Sequence, residues 1–269
     1  VPDGVSLPEE IKRREDRLVA MAAAKAKIAA RAEERYQREK AQYDEKRARR
    51  KAKEEETGRK WGGRVPKAPE PGVRDSDQIN LTDEESRIMP VAGGGFEQAY
   101  NAQAAVDPAT LLVVAVGVTQ APNDKEQVEP MLATLQAQAD GLGSVHGMIA
   151  DTGFYSEKNI KACEAAGIVP LIAVARDEHH PDWRERHSEP AALPENATPV
   201  QAMSHRLKTR AGRALYALRK QTVEPVFGII KSVMGFRQFS LRGWQKVTGE
   251  WTLVCLAWNL KRMAKLRPQ

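Results

Sequence analysis

The sequence predicts an α/β domain preceded by a long, charged helical arm. Two strand-like runs, residues 99–106 and 111–118, are separated by Asp107-Pro-Ala-Thr110, a turn sequence with Pro in its second position. Apolar runs at 145–150 and 168–174 then alternate with stretches of helical periodicity, giving the order β-β-α-β-α-β. Residues 7–60 differ in kind, being dominated by Ala, Glu, Lys and Arg, all good helix formers.

In the arm, Ile11, Leu18, Met21, Ile28, Ala32, Tyr36 and Tyr43 form a thin apolar stripe interrupted by Lys25 and Lys40. That pattern predicts a long helix or helical hairpin rather than a sustained coiled coil, whose seam needs large residues over consecutive heptads. The basic run from Lys46 to Lys53 is suited either to phosphates, through counterion release, or to a solvated face. Residues 61–80 mix Pro, Gly and charge and read as a linker, which sets the domains at 1–60, 61–80 and 81–269.

Beyond the linker, Gly93, Gly94 and Gly95 lack the GK[ST] or GxGxxG context of a phosphate loop and turn the chain into the next strand. Asn123 and Asp124 are placed to cap a helix from Lys125 to about Ala139, with Val128, Met131, Leu132 and Leu135 as its core stripe. Ser156 is placed to cap a helix through about Ala166. Residues 176–210, charged and Pro-rich, read as a loop insertion; His179, His180, Asp182 and His187 within it match no zinc-ligand spacing. A last helix spans Trp244 to Leu266 with Trp251, Val254, Cys255 and Trp258 inward, so the tryptophans read as core rather than as base-stacking platforms.

Composition narrows the function classes. The formal charge of +6 on 269 residues leans toward a polyanionic partner. Cys163 and Cys255 have no CxxC spacing, which points to a reduced intracellular compartment and away from a metal-thiolate site. No apolar run approaches the roughly 20 residues that span a bilayer.

Two stretches carry candidate chemistry. An apolar run ends at Asp151, followed by Thr152-Gly153 and the Ser156 helix; in open α/β sheets functional groups collect at the carboxyl edge of the strands. In residues 216–231, helical spacing puts Lys220, Glu224 and Lys231 on one face and Val223, Phe227 and Ile230 on another. Pro225 is cheap only in a first turn, so Thr222 reads as N-cap of a helix to about Met234, with Glu224 near its positive end.

Together these stretches resemble the second Asp and the Glu of a DDE transposase from a bacterial insertion sequence, whose signature is Y-(2)-R-(3)-E-(6)-K. Tyr216 and Arg219 keep the two-residue gap and Glu224 and Lys231 the six-residue gap, while the middle gap is one residue too long unless Lys220 stands in for the arginine. The resemblance covers roughly residues 80–266. It implies a ribonuclease H-like mixed sheet with flanking helices, and metal-dependent cleavage and strand transfer of double-stranded DNA at transposon ends and target. It further implies Asp151 and Glu224 as ligands of Mg²⁺ or Mn²⁺, with Tyr216, Arg219, Lys220 and Lys231 against phosphate. A homo-oligomer is implied as the active form. The family's first Asp belongs on a strand ahead of the helical arm, where this sequence has only Asp3-Gly4, so a chain truncated at that point is expected. Asp107 is the nearest alternative carboxylate, but its turn position argues for a structural role. The competing readings are a non-catalytic DNA-binding or regulatory remnant and, more weakly, an oligomerising scaffold.

Overall fold

The computed structural model describes residues 6–60, 62–91, 93–174 and 188–267. His179, His180, Asp182 and His187 lie outside the described residues. The chain divides into two compact units, Val1–Glu84 and Glu85–Gln269.

The first unit is built on one helix, α1 (Leu7–Thr57, 51 residues), with Pro8 in its first turn and Gly58 ending it at φ 64°. The apolar stripe is not a packed seam: only Ala24 and Ala32 are buried, and Ile11, Leu18 and Met21 are exposed. The stretch expected to be a free linker runs back along the helix instead. Arg35 pairs with Asp77 and donates to the Gly72 carbonyl at 3.0 Å; Arg74 reaches Glu39 at 2.7 Å; Lys27 and Arg31 meet Glu84. Composition signalled an irregular backbone correctly, but it could not show that Arg and Asp side chains thirty-five to fifty-seven residues apart would hold that backbone in place. The Arg35 guanidinium beside Asp77 holds that carboxyl below its usual range.

In the second unit the described strands form three two-stranded sheets and not the single mixed sheet expected. Strands β1 (Arg87–Pro90) and β2 (Phe96–Ala99) are antiparallel around the Gly93–Gly95 turn, where each glycine has φ above 90°. Strands β3 (Asn101–Val106) and β4 (Val113–Thr119) make the expected hairpin, again antiparallel. Strands β5 (Gly147–Ala150) and β6 (Val169–Ile172) are parallel, joined through α4 (Glu157–Ala165).

Helices cover both faces of the β3–β4 hairpin. On one face Ala102, Ala104 and Val106 meet Val226 and Ile230 of α7 (Arg219–Ser232) and Val247, Trp251, Cys255 and Trp258 of α8 (Trp244–Leu266). On the other, Ala105 and Ala115 meet Met131 and Leu135 of α2 (Val128–Ala137), which continues into the short α3 (Ala139–Leu142). Helix α8 lies where the sequence placed it. Trp244, Trp251 and Trp258, two turns apart in succession, each donate an indole N–H to a hairpin carbonyl, those of Val118, Gln103 and Leu111 at 2.8–2.9 Å. Asn259 bonds both the N–H and the C=O of Val113 at 2.8 Å. These three tryptophans therefore anchor the core, as expected, with Phe227 5.4 Å from Trp251.

The expected loop at 176–210 ends in regular structure. Helix α5 (Pro199–Lys208) starts with a Thr198/Gln201 capping box and buries Met203 completely, and α6 (Arg210–Ala217) follows at once. Its Thr-x-x-Gln signal was present in the sequence but hidden by the surrounding Pro and charge. At the corner between the two helices, a Cβ on Gly212 would fall 1.8 Å from the Arg206 carbonyl oxygen, so only glycine fits. That corner delivers the chain to the segment carrying Glu224.

Candidate active site

Asp151 ends β5 as expected. Its backbone is extended, the chain enters one turn of 3₁₀ helix (Thr152–Phe154), and Asp151 Oδ1 accepts the Gly153 N–H at 2.8 Å. Ser156 caps α4 by accepting from the Asn159 N–H at 3.0 Å, again as the sequence predicted. Asp151 is exposed and accessible to solvent at the strand end.

Asp124 departs from its expected role. Helix α2 begins at Val128, three residues later than expected, with Gln127 at its N-cap and no side-chain cap. Asp124 Oδ1 instead accepts from Asn101 Nδ2 and Gln103 Nε2, both at 2.7 Å. Asn101 and Gln103 alternate along β3 and so share a face, and Gln103 also donates to Asn101 Oδ1 at 2.9 Å. The position a Cβ would take on Gly153 lies 3.0 Å from Asp151 Oδ1 and 3.3 Å from Asp124 Oδ2, so the two carboxylates face each other across that glycine. Behind them Asn159, 1% exposed, donates to the carbonyls of Lys125 at 2.8 Å and Phe154 at 2.6 Å, tying the two loops together. The sequence signal for this network was the polar pair at i, i+2 in an otherwise apolar strand.

Glu224 sits on α7, but farther inside the helix than expected. The helix starts at Arg219, so Pro225 is internal, and Thr222 is buried with its hydroxyl bonded to the carbonyls of Leu218 at 3.0 Å and Arg219 at 3.2 Å rather than capping. The amphipathic reading holds: Thr222, Val226 and Ile230 are buried, and Lys220, Glu224 and Lys231 are exposed. Arg219 links the signature residues. Its Nη1 is 3.3 Å from Glu224 Oε1, its Cζ is 5.8 Å from the Tyr216 ring centroid, and its Nε is buried without a partner. Lys231 lies 6.0 Å over the Phe227 ring.

The carboxylate contacts thus fall into two groups, Asp151 with Asp124 and Glu224 with Arg219. Among the described residues no group of three or more His, Cys, Asp or Glu side chains is placed to hold a metal ion. Asp107 has the structural role its turn position suggested: its Oδ2 accepts from the Thr110 hydroxyl at 2.5 Å and N–H at 2.9 Å, which hold its carboxyl below the usual range. Burial pushes the Cys163 thiol up to about 11 and the Cys255 thiol to about 12. Among the described residues no helix is long and apolar enough to cross a membrane.

Comparison with curated proteins and with solved structures gives no match. The sequence does match a protein family, described as Transposase DDE domain, over residues 67–260, beginning in the segment that runs back along α1 and ending within α8. That match spans well over half of the chain, which therefore belongs to the family of DDE-domain transposases.

Proposed function

We propose that this chain carries out metal-dependent phosphoryl transfer on double-stranded DNA, cleaving and joining phosphodiesters at insertion-sequence ends. The observation that carries the reading is the placement of Asp151, a solvent-accessible carboxylate at the carboxyl end of a parallel strand in a DDE-family chain. Strands β3–β4 and β5–β6 are read as parts of a ribonuclease H-like sheet.

Asp151 and Glu224 are assigned as ligands of Mg²⁺ or Mn²⁺. The residues fit such an ion: hard divalent cations take carboxylate oxygens, and beside Asp151 Oδ1 is a space that a Cβ on Gly153 would fill. When bound, the metal supplies charge stabilisation to the attacking and leaving oxygens. Arg219 positions the Glu224 carboxylate while its ring contact with Tyr216 fixes the guanidinium. Lys220 and Lys231, exposed on the same helix, take DNA phosphates. The active form is a homo-oligomer that holds two transposon ends.

A second reading, DNA binding without catalysis, is favoured by the engagement of Glu224 with Arg219. Strand transfer on paired insertion-sequence end fragments with Mg²⁺ or Mn²⁺ separates the two. The catalytic reading expects activity that falls by a factor of about 100 or more in Asp151→Asn and Glu224→Gln while DNA affinity is kept, since loss of one group stabilising transition-state charge commonly has that effect. DNA binding that weakens with salt in a chain without strand-transfer activity supports the second reading. Absence of DNA binding at low salt refutes both.

A further inference from the structure

Asp124 is held for a purpose other than starting a helix. Its Oδ1 is occupied by two amide donors from β3, and its Oδ2 has no hydrogen-bond donor among the described residues and faces Asp151. The loops behind the two carboxylates are clamped by the buried Asn159 side chain through Lys125 O and Phe154 O. Gly153 between them is not among the glycines with positive φ, so its backbone does not demand glycine. What glycine provides there is space, because a Cβ would stand 3.0 Å from one carboxylate and 3.3 Å from the other.

We infer that Asp124 is a further working carboxylate of the Asp151 site and shares one divalent cation with it in the space that Gly153 leaves open. The inference rests on the assignment of Asp151 as a metal ligand. Two facing carboxylates without a cation repel, whereas one or two carboxylates completed by waters and substrate phosphates are a usual donor set for Mg²⁺. Asn101 and Gln103 are then positioning residues, which hold the occupied oxygen so that the other meets the ion.

The test is Mn²⁺ binding to the full chain, read by the paramagnetic resonance signal of free Mn²⁺, for the parent and for Asp151→Asn, Asp124→Asn and Gly153→Ala. Each variant is expected to bind Mn²⁺ at least tenfold more weakly than the parent. Parent-like binding by Asp124→Asn and Gly153→Ala, with binding lost in Asp151→Asn, overturns the inference and leaves the Asp151 assignment standing. No binding by the parent, or binding unaffected by Asp151→Asn, overturns both. If Asp124→Asn also lowers the urea midpoint of unfolding, Asp124→Cys decides. A thiolate in direct contact with the ion shifts the preference for Cd²⁺ over Mn²⁺ at least tenfold, and an unchanged preference means that Asp124 only supports the loop, which overturns the inference.

Discussion

Replacing Asn159 should cost more than replacing any other single polar side chain of the second unit, because two loops depend on it. The side chain is 1% exposed, and its amide donates to Phe154 O at 2.6 Å and to Lys125 O at 2.8 Å. A net contribution of about 1 kcal/mol per hydrogen bond, plus the cost of leaving the two carbonyls partly unpaired, puts Asn159→Ala at roughly 2–4 kcal/mol. With a urea dependence of about 1–3 kcal/mol per molar, the midpoint should fall by about 1–2 M, followed by far-ultraviolet circular dichroism and tryptophan fluorescence. Asn159→Asp keeps the shape but turns an oxygen toward two carbonyl oxygens, so it should be worse than alanine at neutral pH and recover as the carboxyl protonates. The Asn159 backbone N–H, which bonds to Ser156, is untouched in both variants, so the helix cap is not a confounding loss. An alanine midpoint within about 0.3 M of the parent, or an aspartate variant no worse than alanine, would refute the view that this amide holds the loops together.

Gly212→Ala places a methyl group against the Arg206 carbonyl and must displace backbone at the α5–α6 corner; a loss of about 2 kcal/mol or more is expected in the same urea assay. Asp107 has a folded-state pKa below its unfolded value, so its contribution is present above the ordinary carboxylate range and is lost as pH falls through the folded value. Asp107→Asn should therefore be less stable than the parent at pH 7, with the gap closing in acid, as thermal melts across pH would record. Cys163 and Cys255 are buried with raised thiol pKa values, so the native chain should not react with a thiol reagent at pH 8, and both should react once urea is added.

Much of the fold was legible because local signals and tertiary outcome agreed. The Asp107-Pro turn and its flanking apolar runs became β3–β4, Ser156 capped α4, and the period of the last segment became α8 from Trp244 to Leu266. Lys220, Glu224 and Lys231 shared an exposed face because helical geometry alone decides that. Asp151 fell at a strand end because the apolar run stops there.

What the sequence by itself determined, then, was element type, the face each residue occupies, and membership of a family through two spaced motifs. Only the tertiary structure decided which polar side chains meet. A carboxylate after an Asn is a helix cap by local rules, yet Asp124 turns to Asn101 and Gln103, twenty-three and twenty-one residues earlier, because two amides on one strand face satisfy it better than one backbone N–H. Thr222 likewise gave up its cap to bond the preceding turn once the helix began at Arg219. The segment following α1 was irregular by composition but was placed by Arg35, Arg74 and Lys27 on the helix. Short-range periodicity is set by bond geometry and survives in any context. Partner choice among polar groups depends on distances that exist only after the chain has folded.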